Sequence, residues 1–321
     1  MQLRPIGTTD IRVSPVALGC WPLSGMTRDG ISESDAQATL EACFDLGVNF
    51  FDTAYNYGLN GRSELMIGHA IAGRRDRAVI ATKCGIHWQP PRIMTLDARP
   101  ETLHRHFEES LRRLGTDYVD LLYLHAPDPK VPIAESAGAL GELLHAGKTR
   151  AVGVSNVSLA QLEEFAAACP LSAYQPPYNM FQRQIEADTL PWCAAHDVSV
   201  IVYWPLVKGL LAGRLPRDHV FPTSDSRHKY PMFQGTEWQK NQDFIDRLRP
   251  IAAEAGRTVA QLVINWTIHR PGITAALCGA THVEQLRENV GAAGWSLTAD
   301  QSARIDAALA ERGEPLMRAP V

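Results

Sequence analysis

Short apolar runs rich in strand-forming residues alternate with amphipathic segments of about ten to fifteen residues along the whole chain, and this repetition constrains the fold more than any other feature. The strand candidates are Val16–Leu18, Val48–Asp52, Ala78–Lys83, Leu121–His125, Thr149–Val154, Ala173–Gln175, Val198–Tyr203 and Ile273–Leu277. Helical segments follow them near Ser34–Leu46, Ser63–Ile71, Pro100–Leu114, Ile133–Ala146, Leu159–Ala168, Asp188–His196, Val259–His269 and Val283–Asn289. In the third of these, Leu103, Phe107, Leu111 and Leu114 recur at three- and four-residue steps and make one stripe for a sheet to cover. Ser63 and Ser158 are candidate N-caps.

Eight strands, each with a following helix and no linker between repeats, predict a single α/β domain over residues 1–321. The closed TIM-type (β/α)8 barrel fits this better than an open doubly wound sheet. Leu3–Val13, with Gly7-Thr8-Thr9-Asp10 between two β-type runs, reads as an N-terminal hairpin that plugs the barrel bottom. Two further features exceed a minimal barrel: a long loop after strand seven, Pro205 to Gln239, and a helical tail from Thr298 to Arg312. Long loops at that face usually serve function, here by enclosing a substrate.

Charge narrows the function. The 31 basic and 35 acidic residues are interspersed and sum to −4, which gives neither a nucleic-acid footprint nor a polybasic membrane patch. The start MQLRPIGTTDIRV lacks the apolar core of a signal peptide, and no apolar run spans a bilayer, so a cytoplasmic monomer is the expectation. Cys20, Cys43, Cys84, Cys169, Cys193 and Cys278 are scattered without metal-ligand spacing and read as buried thiols, with Cys20 and Cys84 placed where oxidation could reach them. No metal site is expected.

Chemistry concentrates at strand ends. Asp52 closes strand two in VNFFDTAYNYG, Tyr57 lies in its loop, Lys83 ends strand three in VIATKCG and His125 ends strand four in LLYLHAP. Each residue alone has an ordinary structural explanation, but neighbouring barrel strands deliver all four to one mouth. There they make a proton-transfer device: Lys83 favours the Tyr57 phenolate, Asp52 pairs with Lys83, and His125 can hydrogen-bond a substrate oxygen. A metal-dependent hydrolase would need several strand-end ligands, and only His125 qualifies.

Through DTAYNYG, ATKCG, LLYLHAPD, GVSN and GATHVEQLREN, and through the opening LRPIGTTDIRVSPVALG, the chain resembles the aldo-keto reductases almost end to end. The resemblance implies an ordered reaction in which nicotinamide binds first and a hydride passes to a small aldehyde or ketone. Tyr57 is then the general acid, tuned by Lys83 and Asp52, with His125 orienting the carbonyl. For the cofactor it implies Ser155, Asn156 and Gln175 at the carboxamide and Tyr203 stacked on the ring. A loop of Pro205, Leu206, Lys208, Gly209, Leu210 and Gly213 wraps the pyrophosphate, and Gly279, Ala280, Thr281, Gln285 and Asn289 receive the adenosine end.

NADP (NADPH) is the expected cofactor, although Thr281-His282 stands where many NADPH-specific relatives carry Lys or Arg, so NAD remains open. Arg287 and the helix start are alternative phosphate partners, and His282 can also be a solvated cap. Trp21 and Trp88 are expected to line the substrate mouth, with Trp204 or Trp238 above them, a wall that suits aldehydes, ketones and sugars alike. Two alternatives accompany the carbonyl reductase: an NAD-dependent sugar or polyol dehydrogenase, and a cofactor-binding regulatory subunit without significant turnover.

Overall fold

The computed structural model of the chain describes residues 1–26, 31–223 and 225–317. Eight parallel strands close into a barrel: β3 (Val16–Gly19), β4 (Phe50–Asp52), β5 (Val79–Cys84), β8 (Leu121–Leu124), β9 (Val152–Ser155), β10 (Ala173–Gln175), β11 (Ser199–Val202) and β12 (Ile273–Cys278). β12 pairs with β3 through Ala276 opposite Val16 and Cys278 opposite Leu18, which completes the ring. Every predicted barrel strand forms, with ends displaced by up to three residues; Thr149, for instance, makes only an isolated bridge to Val119 ahead of β9.

The antiparallel hairpin β1 (Arg4–Pro5) and β2 (Arg12–Val13) precedes the barrel. Its Ile6, Ile11 and Val13 are buried in one cluster with Ala17, Phe50, Tyr123 and Ile201, so the hairpin supplies the floor of the barrel interior. Tyr123 fills the interior opposite Gly153, where a Cβ would lie 2.3 Å from the tyrosine ring and only glycine is accommodated.

Around the barrel run α1 (Glu33–Asp45), α2 (Arg62–Ile71), α3 (Pro100–Leu114), α4 (Ile133–His145), α5 (Leu159–Ala168), α6 (Thr189–Ala195), α8 (Val259–Ile268) and α9 (Val283–Val290). In α3 the stripe Leu103, Phe107, Leu111 and Leu114 is buried as its spacing predicts, and truncating Phe107 to alanine would cost about 3–5 kcal/mol. Ser158 closes a capping box with Gln161 at the start of α5. Ser63 is not a cap: the cap position of α2 is Gly61 at φ 70°, and Ser63 sits inside the helix with its hydroxyl 2.8 Å from that of Thr53.

Two elements were not foreseen. The hairpin β6 (Ile86–Gln89) and β7 (Ile93–Leu96) rises directly after β5, its two strands in register from Ile86–Leu96 to Gln89–Ile93. The loop after β11 ends earlier than predicted, because α7 (Gly235–Glu254) takes its last residues into a twenty-residue helix. α7 pairs with the C-terminal α10 (Ala299–Arg312), where buried Arg312 bonds Glu237 and reaches Asn241 Oδ1 at 2.7 Å. Polar residues on the buried face and Pro250 inside the helix hid the period of Trp238, Phe244, Ile245, Leu248 and Ile251.

Candidate active site

The ends of β4, β5 and β8 lie side by side, so Asp52, Lys83 and His125 meet by topology alone. Lys83 Nζ donates to Asp52 Oδ1 at 2.6 Å and to the Thr53 carbonyl at 2.7 Å, and stands 3.4 Å from Tyr57 Oη. Gln175 Nε2, arriving from β10 across the barrel, donates to Asp52 Oδ2 at 2.8 Å. Asp52 and Lys83 are each 1% exposed, so both charges depend on these partners.

Local bonding fixes the Tyr57 loop. Tyr55 N–H donates to the Lys83 carbonyl, Tyr57 N–H to the Ala54 carbonyl, and Ser63 N–H returns to the Tyr57 carbonyl at 3.1 Å. Trp21 meets the Tyr57 ring edge to face at 5.0 Å between centroids, and His125 lies 5.9 Å away on the same pattern. Behind the loop, buried Glu64 accepts from Thr82 Oγ1 at 2.7 Å and from Arg113 at 3.0 Å. Arg113 also covers the Tyr55 ring, which stacks on His106 at 3.9 Å. The sequence reading missed this support; its only signal was an acidic residue, Glu64, on the buried face of α2.

Burial sets the protonation states. The Tyr57 phenol is pushed well above its ordinary range, first by desolvation and then by the Asp52 charge. Lys83 Nζ, 3.4 Å away, does not bring the phenol below its ordinary range against this burial, so Tyr57 rests as the protonated phenol. The His125 imidazole is held well below its usual range by burial and by Lys83, so it is neutral. Burial raises Asp52 and lowers Lys83, each opposed by the other's charge. Cys20 and Cys84 are buried, with thiols pushed up by desolvation, Cys84 to about 12; the expected oxidation sensitivity finds no support, since the reactive thiolate is disfavoured.

A cavity of about 600 Å³ opens over this cluster. Asp52, Tyr57 and His125 line it, together with Trp21, Trp88 and Trp204. Trp238 does not; it is buried in α7, where its Nε1 donates to the Arg217 carbonyl at 2.7 Å and its ring packs with Phe221 and Phe233. Ser155, Asn156, Gln175 and Tyr203 form the next wall. Ser155 Oγ donates to the Gln175 carbonyl at 2.7 Å, and Asn156 is held at both ends, its Nδ2 on the His125 carbonyl at 2.9 Å and its Oδ1 under Tyr203 Oη at 2.7 Å.

Pro205, Leu206, Lys208 and Gly209 continue the lining, the last two at φ 54° and 88°. Leu210 is turned into the hydrophobic core, and Gly213 lines an adjoining cavity of about 370 Å³, beside Arg249 and Arg257, that shares Ala212, Arg214 and Glu288 with the main one. At the far end Gly279, Thr281, Gln285 and Asn289 all contribute, whereas Ala280 is buried behind them and Arg287 is exposed outside the cavity. Gln285 Oε1 accepts from both Thr281 N–H and hydroxyl at 2.9 Å. His282 is the half-buried N-cap of α9.

Cations that sequence reasoning missed line this end. Arg214 pairs with Glu288 at 2.5 Å and Arg227 with Asp225 at 2.6 Å, all four on the cavity wall. Asn56, Ile86 and Met94 were also missed at the mouth; the last two sit on the unforeseen hairpin β6–β7. Among the described residues no group of three His, Cys, Asp or Glu side chains converges to hold a metal, and no helix is long and apolar enough to cross a membrane.

Comparison with known proteins agrees with this geometry. Residues 15–310 match the model of the Aldo/keto reductase family. The chain is 36% identical to the aldo-keto reductase YhdN of Bacillus subtilis strain 168 over 312 residues, covering 96% of this chain and 94% of the relative. It is 33% identical over 327 residues to the NADH-specific methylglyoxal reductase of Escherichia coli K12, covering 97% and 99%. The solved glycerol dehydrogenase AKR11B4 from Gluconobacter oxydans superposes with a TM-score of 0.91 at 35% identity, over 100% of this chain and 98% of that one.

Proposed function

The chain belongs to the aldo/keto reductase family, and is on that account an oxidoreductase that uses a nicotinamide cofactor on small carbonyl compounds; from this premise we propose that Tyr57 is its general acid and base. One observation carries the reading: a phenol on the cavity wall, 3.4 Å from a buried lysine that is itself paired with a buried aspartate at 2.6 Å. In reduction Tyr57 Oη gives its proton to the carbonyl oxygen as the carbon accepts hydride, and the resulting tyrosinate is stabilised by Lys83. In oxidation the same oxygen takes the proton back. Asp52 and Gln175 hold Lys83 and its counter-charge in place. Neutral His125 orients the carbonyl oxygen without competing for the proton.

The cavity fits a dinucleotide on its own chemistry: an aromatic face at Tyr203, a left-handed backbone turn at Lys208-Gly209, and Arg214 and Arg227 for anionic groups. When bound, the nicotinamide supplies or receives the hydride. Ser155, Asn156 and Gln175 take its carboxamide, Pro205, Leu206, Lys208 and Gly209 its pyrophosphate, and Gly279, Thr281, Gln285 and Asn289 its adenosine. Trp21 and Trp88 wall the substrate. We take NADPH as the working cofactor, with Arg214 in place of the missing Lys or Arg beside Gly279-Ala280.

Glu288 on the same wall favours a second reading, since a carboxylate disfavours a 2′-phosphate. This is an NAD-linked sugar or polyol dehydrogenase; one relative is named for NADH specificity, as a methylglyoxal reductase, and a solved neighbour for glycerol dehydrogenation. A regulatory subunit without turnover has less support, because the tetrad is complete. The full chain, residues 1–321, is proposed to act as one cytoplasmic, monomeric unit. Parallel titrations with NADPH and NADH, followed by a panel of aldehydes, test these readings: tighter NADPH binding with multiple turnover supports the first, NADH preference the second, and binding without turnover the regulatory role.

A further inference from the structure

The joint between α10 and α7 is a costly one. The Arg312 and Glu237 side chains are 2% and 8% exposed, and apolar residues of equal volume would join two helices as well or better. Arg312 lies over the ring of buried Phe181, and its Nη1 donates to the Gly313 and Glu314 carbonyls at 3.3 and 3.0 Å. Glu237 in turn accepts from Leu316 N–H at 2.9 Å. A charged joint can do one thing that an apolar one cannot, which is to orient a neighbouring dipole. Asn241, one turn after Glu237 on α7 and fully buried, supplies that dipole: its Oδ1 accepts from Arg312 Nε at 3.1 Å and from Nη2 at 2.7 Å.

A guanidinium only donates, so it turns the amide oxygen toward α10 and the amide nitrogen away. That nitrogen donates to the Met232 carbonyl at 2.8 Å. Asparagine satisfies both neighbours, whereas leucine in its place would satisfy neither. Met232 belongs to a run of turns in which Phe233 N–H donates to the Tyr230 carbonyl and Tyr230 N–H to the Arg227 carbonyl, each at 3.0 Å. Asp225, Ser226, Arg227 and Tyr230 of this run line the main cavity, while Arg312 is itself outside the lining. Lys208 Nζ lies 5.1 Å from the Tyr230 ring, and Arg227 Nη1 donates to the Lys208 carbonyl at 3.4 Å, so the run rests on the loop proposed above for the pyrophosphate. We infer that Arg312 is a positioning residue for the cofactor: acting through Asn241, it holds the 225–233 wall against the Lys208 loop and so sets how slowly the dinucleotide leaves. The inference rests on the dinucleotide reading of this cavity.

The experiment measures, by stopped-flow fluorescence, the dissociation rate of whichever of NADPH and NADH binds more tightly. Wild type is compared with Asn241→Leu, Arg312→Lys, the double variant and Leu143→Ala. The first breaks the relay; the second keeps a charge for Glu237 but lacks the fork that grips Asn241. Leu143→Ala, in the buried face of α4, lowers stability elsewhere and controls for loosening of the fold as a whole. Dissociation should quicken about three- to tenfold in Asn241→Leu and at least about twofold in Arg312→Lys, while Leu143→Ala matches wild type. Adding Arg312→Lys to Asn241→Leu should change nothing more, because the relay is already broken. An unchanged rate in either single variant, additive effects in the double, or equal acceleration in Leu143→Ala overturns the inference, since the joint then only stabilises the fold. Where the leucine variant does not fold, Arg312→Lys against Leu143→Ala decides by itself. Wild type that binds neither cofactor overturns the dinucleotide reading, and the inference with it.

Discussion

The two ends of the cavity are built on opposite principles. At the proposed catalytic end Asp52 and Lys83 are 1% exposed, stand at strand termini and are bonded by Thr53 and Gln175 as well as to each other. At the proposed adenosine end the charged groups stand on loops and a helix face, and in the Arg214–Glu288 pair the arginine side chain is 58% exposed. Chemistry needs a reacting geometry that does not relax, and strand ends provide it; cofactor choice needs contacts that can exchange partners, and loops provide those. If this division is real, substitutions at the first end cost stability and turnover together, while those at the second adjust affinity alone.

The hardest test of the rigid end is Lys83→Met. It leaves Asp52 charged, buried and stripped of its main partner, so unfolding free energy should fall by about 3–5 kcal/mol in urea titration, alongside a severe loss of turnover. Full stability in the variant would mean that Asp52 protonates or finds water at little cost, and the catalytic end would then be less constrained than its geometry indicates. Tyr57→Phe separates chemistry from scaffold. It removes only the hydroxyl and should lower kcat about 10²- to 10⁴-fold while cofactor affinity stays within about twofold. Undiminished turnover would remove Tyr57 from the mechanism.

What could be read in the sequence follows the same division. Strand ends are legible because a strand's position in a barrel is set by its order, so Asp52, Lys83 and His125 could be brought together from spacing alone. Tyr57 joined them from its loop, and the resemblance to a family then implied which way its proton moves in the reaction. Loops are not legible in this way: after the run of positive φ at Val207, Lys208 and Gly209, Leu210 turns into the core and Gly213 into the adjoining cavity, which no spacing in the sequence signals. Trp238 failed for another reason, since an aromatic in a polar stretch looked like a loop residue while α7 buried it. Protonation was the least legible of all. The Tyr57 phenol rises because the packed fold desolvates it, and no spacing rule measures desolvation.

A milder probe of the buried end is pH. The His106 imidazole, 1% exposed and stacked on Tyr55, is lowered to about 3 by desolvation first and by His87 next. Below the unfolded value of about 6.5 the unfolded chain therefore binds a proton that the folded chain refuses, and stability falls as pH falls. Between pH 6.5 and 5.5 this one group should cost about 1.0 kcal/mol. His106→Gln, which keeps an acceptor for Gly85 N–H, should flatten the slope by that amount. An unaltered slope would show that His106 takes its proton inside the fold.

The smallest effect probes the exchangeable end. Arg214 and Glu288 pair on the cavity wall with the arginine 58% and the glutamate 13% exposed, and a pair with one partner in solvent contributes little to stability, so Arg214→Ala should lower it by less than about 1 kcal/mol. Affinity is different, because the guanidinium can leave Glu288 for a phosphate at small cost. Removing it should weaken NADPH about three- to tenfold and NADH less than about twofold, with the NADPH loss shrinking at high salt as screening removes the contribution in wild type too. Equal weakening of both cofactors would put Arg214 on the shared pyrophosphate rather than at the 2′-phosphate. A large drop in stability would erase the contrast itself, since it would show the adenosine end to be as tightly built as the tetrad.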